Sequence, residues 1–238
     1  MDFVTPSYYL YFLPLVVVLT FGLASRQRRR QILILLVMSY VFFWLASGWH
    51  LILLLVSTCI DWTAGRKMHE TDDTSRRKRW LRISLVTNLS LLGVFKYLDF
   101  IIESWNLASL RLTDGLEVGA LGLALPVGIS FYTFQTMSYT IDIYLQKQKP
   151  YDSFLDFACY AAFFPQLVAG PIVRADHFRV QIKEPLAPSA YRFRLGLTLI
   201  VYGISKKLVI ADNVAVHANE VFVEGEHLAN IGLVWWAT

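Results

Sequence analysis

Long apolar runs separated by short clusters of charge organise this chain. Apolar residues dominate 8–24, 32–60, 83–105, 119–145, 154–173 and 195–216. About 20 apolar residues cross a hydrocarbon core about 30 Å thick. The spacing therefore predicts an all-α, polytopic transmembrane protein. The first run ends at Arg26, Arg28, Arg29 and Arg30. Such a block stays in the cytoplasm, which places the start of the chain outside, the periplasm in a bacterium. No basic stretch precedes the run and no small-residue cleavage site follows it, so it reads as an anchor rather than a removable signal.

Run 32–60 as one helix would be about 44 Å long, which overshoots the bilayer. Ser47-Gly48, followed by Trp49 and His50, interrupts it. Two short helices of about 15 residues each and a tight external turn are expected, with Trp44 and Trp49 as interfacial anchors. Residues 66–82 carry Arg66, Lys67, Arg76, Arg77, Lys78, Arg79 and Arg82 and read as a cytoplasmic loop. The run 83–105 then leads out, 106–118 forms an external loop, and 119–145 returns to Lys147 and Lys149.

Basic residues flank 154–173 on both sides, and Pro165, Gly170 and Pro171 break it. A re-entrant segment that enters and leaves on the cytoplasmic side satisfies both facts. Broken backbone at membrane depth is tolerated where protein shields it or it lines a wet cavity. Lys206-Lys207 and Asp212-Asn213 interrupt the run 195–216. The chain stops at Trp235-Trp236-Ala237-Thr238, inside a further apolar stretch, as a truncated chain would. No repeat or linker divides 1–238, which reads as one membrane unit.

Composition sharpens this picture. Charged residues make up 17% of the chain and hydrophobic ones 55%, where soluble domains carry about 25% charge. The net charge of +4 lies in clusters beside apolar runs. No basic stripe with interleaved aromatics lies on a polar segment, so nucleic acid is not an expected partner. Cys59 and Cys159 lie in apolar runs without metal-ligand spacing and read as small buried hydrophobes. No metal site is expected.

Charge inside a span costs at least about 2.5–3.5 kcal/mol on insertion scales, so polar residues there are the best pointers to function. Lys96, Asp99 and Glu103 share a helical face and read as an ion-pair network or a cavity wall. Gln135, Tyr139 and Asp142 recur at helical spacing, with Thr136 and Ser138 nearby, and suit either cavity lining or interhelical hydrogen bonds. Asp212 is within reach of Lys206 or Lys207, about a turn and a half away. His50 reads as interfacial, while His69, His177, His217 and His227 fall in polar segments. No Ser/His/Asp order, H-E-x-x-H, P-loop or G-x-G-x-x-G is present.

Three blocks carry a resemblance: LPVGISFYTFQTMSYTIDIY, FACYAAFFPQLVAGPIVRADHF and YGISKKLVIADNVA, within 125–215. In this order they resemble the signature of bacterial membrane-bound O-acyltransferases of the alginate O-acetyltransferase type. SYVFF and STCIDW near the start fit more loosely. The resemblance implies a helical rim around a thinned centre, crossed by a tunnel. It implies an acyl thioester donor such as acetyl-coenzyme A on the cytoplasmic side, as substrate rather than bound cofactor. It further implies periplasmic acetyl-accepting or acetyl-transferring proteins and an exported polysaccharide as partners, membrane lipid around the helices, and the bacterial inner membrane as location. Gln135, Tyr139, Asp142, Pro165, Gln166, Gly170, Pro171 and Arg174 carry over as signature positions that shape the tunnel. The family's catalytic His sits in a Trp-His-Gly type motif that these 238 residues lack, so no catalytic residue carries over and the chain alone is expected to be inactive. A transporter or flippase fragment and a non-catalytic membrane scaffold are the competing readings.

Overall fold

A computed structural model describes residues 5–23, 27–112, 119, 121–167, 170–185 and 187–222. Among these, every regular element is helical. Arg26, Asp114, His227 and the closing Trp235-Trp236 lie outside the described residues. The contacts divide the chain into two compact units, 1–186 and 187–238.

The first unit opens with α1, Tyr8–Leu23. Helix α2, Arg28–Ser47, and α3, Leu51–His69, flank a single 3-10 turn at Gly48–His50. Gly48 has φ +58°, a conformation that favours glycine, so the interruption falls where the sequence places it. Arg28 begins α2 and Arg66 lies in the last turn of α3, yet both line clefts that share Tyr151 and Asp152. The two helices therefore run antiparallel. They are longer than expected, 20 and 19 residues, or about 30 Å each. The arginine and lysine flanks are themselves helical, since both residues are good helix formers.

The basic stretch 66–82 is correspondingly not a loop. Helix α3 runs to His69 and α4, Thr74–Leu92, starts after a short turn. Asp73 caps α4 by accepting from the Ser75 backbone N–H at 2.8 Å, which supplies an otherwise unpaired donor with a partner. A π-helical turn at Gly93–Tyr97 leads into α5, Leu98–Leu112. The predicted external loop thus begins later, because 106–112 is helical. Helix α6, Ile129–Tyr144, starts ten residues after 119. Pro126 and the left-handed Gly128, φ +71°, precede it.

Two helical stretches, Arg28–His69 and Thr74–Ser109, are long and apolar enough to cross a membrane. Their outward faces are bare hydrocarbon: Leu33, Val37, Trp44, Ile52, Val56, Val86 and Leu89 are all exposed. Cys59 is exposed on the same kind of face, contrary to expectation, whereas Cys159 is buried.

Helices α7, Phe154–Ala162, α8, Phe164–Leu167, and α9, Ala175–Ile182, form the broken segment. Helix α7 packs on α2. Phe164 of α8 joins Tyr8, Phe12 and Phe42 in an aromatic cluster with centroids 5.3–6.3 Å apart. In the second unit, α10, Ala190–Ser205, a π-helical turn at Lys206–Ala211 and α11, Asp212–Phe222, follow one another. Lys206-Lys207 widens the helix without ending it. Lys207 pairs with Asp212 at 2.7 Å.

Candidate functional site

Helix α3 turns a narrow face of small and polar residues inward: Ser57, Asp61, Ala64 and Gly65 are all buried. A Cβ on Gly65 would lie 3.0 Å from Ile143 and 3.1 Å from Tyr139, so α3 and α6 approach as closely as the glycine allows. Small residues at this spacing let membrane helices meet backbone to backbone.

Asp61 is fully buried in this seam. Asn88 of α4 donates its side-chain N–H to both carboxyl oxygens at 2.9 Å. Ser84 Oγ donates to Oδ1 at 2.6 Å and lies 3.0 Å from Thr140 Oγ1 on α6. Ser57 donates to Asn88 Oδ1 at 2.6 Å. Asp61 thus links α3 to α4 directly and to α6 through Ser84. Every direct partner is uncharged. An acid at this depth is expensive without such donors.

A second polar layer ties α6 to the broken segment. Gln135, buried, donates from Nε2 to the Tyr160 carbonyl at 2.8 Å. Tyr160 Oη donates to the Val173 carbonyl at 3.1 Å. The Tyr151 backbone N–H donates to Tyr139 Oη at 3.2 Å, and Tyr151 Oη donates to the Ala175 carbonyl at 2.8 Å. Burial first, and the neighbouring Tyr160 second, push the Tyr151 phenol well above its ordinary pKa, so it remains a neutral donor. Tyr132 Oη, Thr133 Oγ1 and Gln135 Oε1, all on α6, are buried without a partner among the described residues.

Arg28 closes the segment at its base. Its Nη2 meets Asp156, in the first turn of α7, at 2.6 Å, and its Nε donates to the carbonyl of Ile182, the last residue of α9, at 2.6 Å. The chain leaves Arg28's level at α7 and comes back to it at α9.

The predicted signature positions separate in two. Gln135 and Tyr139 come together in the buried layer. Asp142 is half-buried and contributes its backbone carbonyl to Lys147 N–H at 2.9 Å. Pro165 occupies the second position of α8, where no intrahelical donor is required. Gln166 is half-buried and its Nε2 has no partner among the described residues. Gly170, Pro171 and Arg174 are exposed, Arg174 as the residue before α9. Lys96, Asp99 and Glu103 form no ion pair with one another. Lys96 donates to Ser130 at 3.3 Å, and Asp99 accepts from the Leu121 N–H at 3.0 Å.

Sequence reasoning missed Asp61, Ser84 and Asn88. The signal was there: Ser57 with Asp61, and Ser84 with Asn88, stand four apart within the apolar runs of α3 and α4. His50 lies at the Gly48–His50 turn and is buried there against its neighbours. Its Nδ1 donates to the Ser47 carbonyl at 2.7 Å and its ring stacks on Trp49. His69 and His177 are exposed, and His217 lies on α11.

Curated relatives share about a third of their residues with this chain. A Helicobacter pylori peptidoglycan O-acetyltransferase is 34% identical over 82% of this chain and 41% of its own length. A probable alginate O-acetylase of Pseudomonas syringae is 35% identical over 83% of this chain and 38% of its own. One from Azotobacter vinelandii is 33% identical over 89% and 42% respectively. The chain spans about two fifths of the length of these relatives. No family model and no solved structure matches it.

Proposed function

Because the chain belongs to the membrane-bound O-acyltransferase family, with the alginate O-acetylases and peptidoglycan O-acetyltransferases, we propose that it forms part of a multi-pass inner-membrane enzyme. The enzyme moves an acetyl group from a cytoplasmic thioester donor, such as acetyl-coenzyme A, toward hydroxyls of an exported polysaccharide. The observation that carries this reading is identity of about one third, across four fifths of the chain, to proteins named for O-acetyl transfer.

In this reading 154–182 is re-entrant. Its support is Arg28, which holds the first turn of α7 and the last carbonyl of α9 with one guanidinium. A segment tethered at both feet to one basic block begins and ends on one side. Gln135 and Tyr139, with Gln166 and the Pro165, Gly170 and Pro171 break, shape the tunnel wall beside it. Asp142 stands toward its cytoplasmic end and Arg174 at its mouth. The partnerless Tyr132, Thr133 and Gln135 oxygens supply polar atoms of the kind such a passage needs. A sugar hydroxyl is a weak nucleophile at neutral pH, and a general base is worth roughly 10²–10⁴-fold. We assign that base to the family's Trp-His-Gly type motif, so these 238 residues alone transfer no acetyl.

Deleting the gene should lower base-labile acetate on the exported polysaccharide, and the whole gene should restore it. Unchanged acetate in the deletion strain would sink the enzymatic reading. For topology, cysteines at Arg28 and Arg77 should resist a membrane-impermeant thiol reagent in intact cells, while one at Trp49 reacts. Labelling at position 77 from outside would overturn the map.

A further inference from the structure

Between the turn that joins α3 to α4 and the loop that follows α6 lies a cleft of about 480 Å³. Arg77 enters it from the first turns of α4. Its Nη2 donates to the carbonyls of Ile143 at 3.2 Å and Tyr144 at 2.8 Å, at the end of α6. Its Nε is buried with no partner among the described residues. On the facing wall α6 ends in a cap: Gln146 takes φ +59°, and the Lys147 N–H returns to the Asp142 carbonyl at 2.9 Å. Such a cap normally uses glycine. Here it folds the chain back so that Lys147 and Lys149 both border the cleft. Both lysines are exposed, and neither forms an ion pair among the described residues.

The charge balance is one-sided. Arg77, Lys147 and Lys149 face a single carboxylate, that of Asp72. The Gln146 and Gln148 amides and the Thr71 hydroxyl add uncharged donors. Three cations around one cavity suit an anion with more than one negative charge. Arginine presents a fork to phosphate oxygens and lysine a compact point charge. The volume exceeds what one phosphate fills.

We propose that this cleft binds the phosphate groups of a phosphoester ligand, carried either by a soluble molecule or by an anionic lipid headgroup. Arg77 supplies the fixed inner charge from the cleft wall, and Lys147 and Lys149 neutralise the outer charge. The proposal does not depend on acetyl transfer, so it and the enzymatic reading can fail separately.

Calorimetry on the full chain in neutral detergent, with inorganic pyrophosphate as probe, tests the soluble source. Native mass spectrometry of chain taken from phosphatidylglycerol or phosphatidylcholine vesicles tests the lipid source. Lys147→Gln with Lys149→Gln should weaken pyrophosphate binding by about tenfold or more, or strip retained phosphatidylglycerol. The arm that responds names the source. Lys147→Arg with Lys149→Arg should stay within about threefold of the parent, and Asp72→Asn should tighten binding. The exposed lysines make no side-chain contacts that folding needs, and an unchanged helical spectrum checks this. Equal pyrophosphate affinity and equal lipid retention in the parent and the double glutamine variant, or neither ligand held by the parent, would overturn the proposal.

Discussion

Asp61 and Asp156 are both acids in apolar surroundings, and the fold treats them oppositely. Asp61, fully buried between α3 and α4, is met only by neutral amide and hydroxyl donors. Asp156, 14% exposed at the basic end, is met by a guanidinium. The difference follows from depth. Near the surface an arginine keeps part of its hydration while it pairs. Deep inside, an ion pair must repay the desolvation of two charges. Several neutral donors satisfy one acid without burying a second charge. The deep group is therefore sensitive to the loss of any donor, and the shallow one is not.

Asn88→Ala tests this most severely. It strips both amide bonds from Asp61 and should destabilise the first unit by about 2–4 kcal/mol, measured by unfolding in mixed micelles. Asp61→Asn should cost less than Asn88→Ala, because it removes the acid along with its demand. The reverse order would mean that packing rather than desolvation governs the seam. Next comes Gly65→Val. Overfilling the α3–α6 approach should cost about 1–3 kcal/mol, with Tyr139 displaced and its fluorescence altered. No loss there would show that the two helices are not held at contact. The smallest effect belongs to the shallow acid. Arg28→Gln should change stability by less than about 1 kcal/mol, since the pair is partly solvated. It should nonetheless quicken trypsin cleavage after Lys183 by releasing the foot of α9. A loss as large as that of Asn88→Ala would erase the contrast between the two acids.

The sequence made the helices, the Ser47-Gly48 interruption and the proline-broken segment legible, because periodic hydrophobicity and backbone breakers are local properties. Helix ends were less visible. Hydropathy stops at the first arginine, whereas α2 begins at Arg28 and α3 continues to His69. Of the candidate site, Gln135 and Tyr139 stood out by spacing on one helix. The partners of Asp61 did not, since Asn88 is 27 residues away. Arg28 gave no hint of Asp156, 128 residues on. Such pairings arise only when helices dock.

The Arg28 tether also sets a timetable for biogenesis. Asp156 leaves the ribosome 128 residues after Arg28. At about 5–20 residues per second, Arg28 waits roughly 6–26 s before its acidic partner exists. The Ile182 carbonyl, 154 positions on, comes later still. Through that interval α2 must hold its place by insertion and by the α3–α4 hairpin alone. A ribosome stalled at codon 150, with α4 clear of the exit tunnel and Asp156 not yet made, should therefore carry a nascent chain with α2 through α4 in place and Arg28 still open to water.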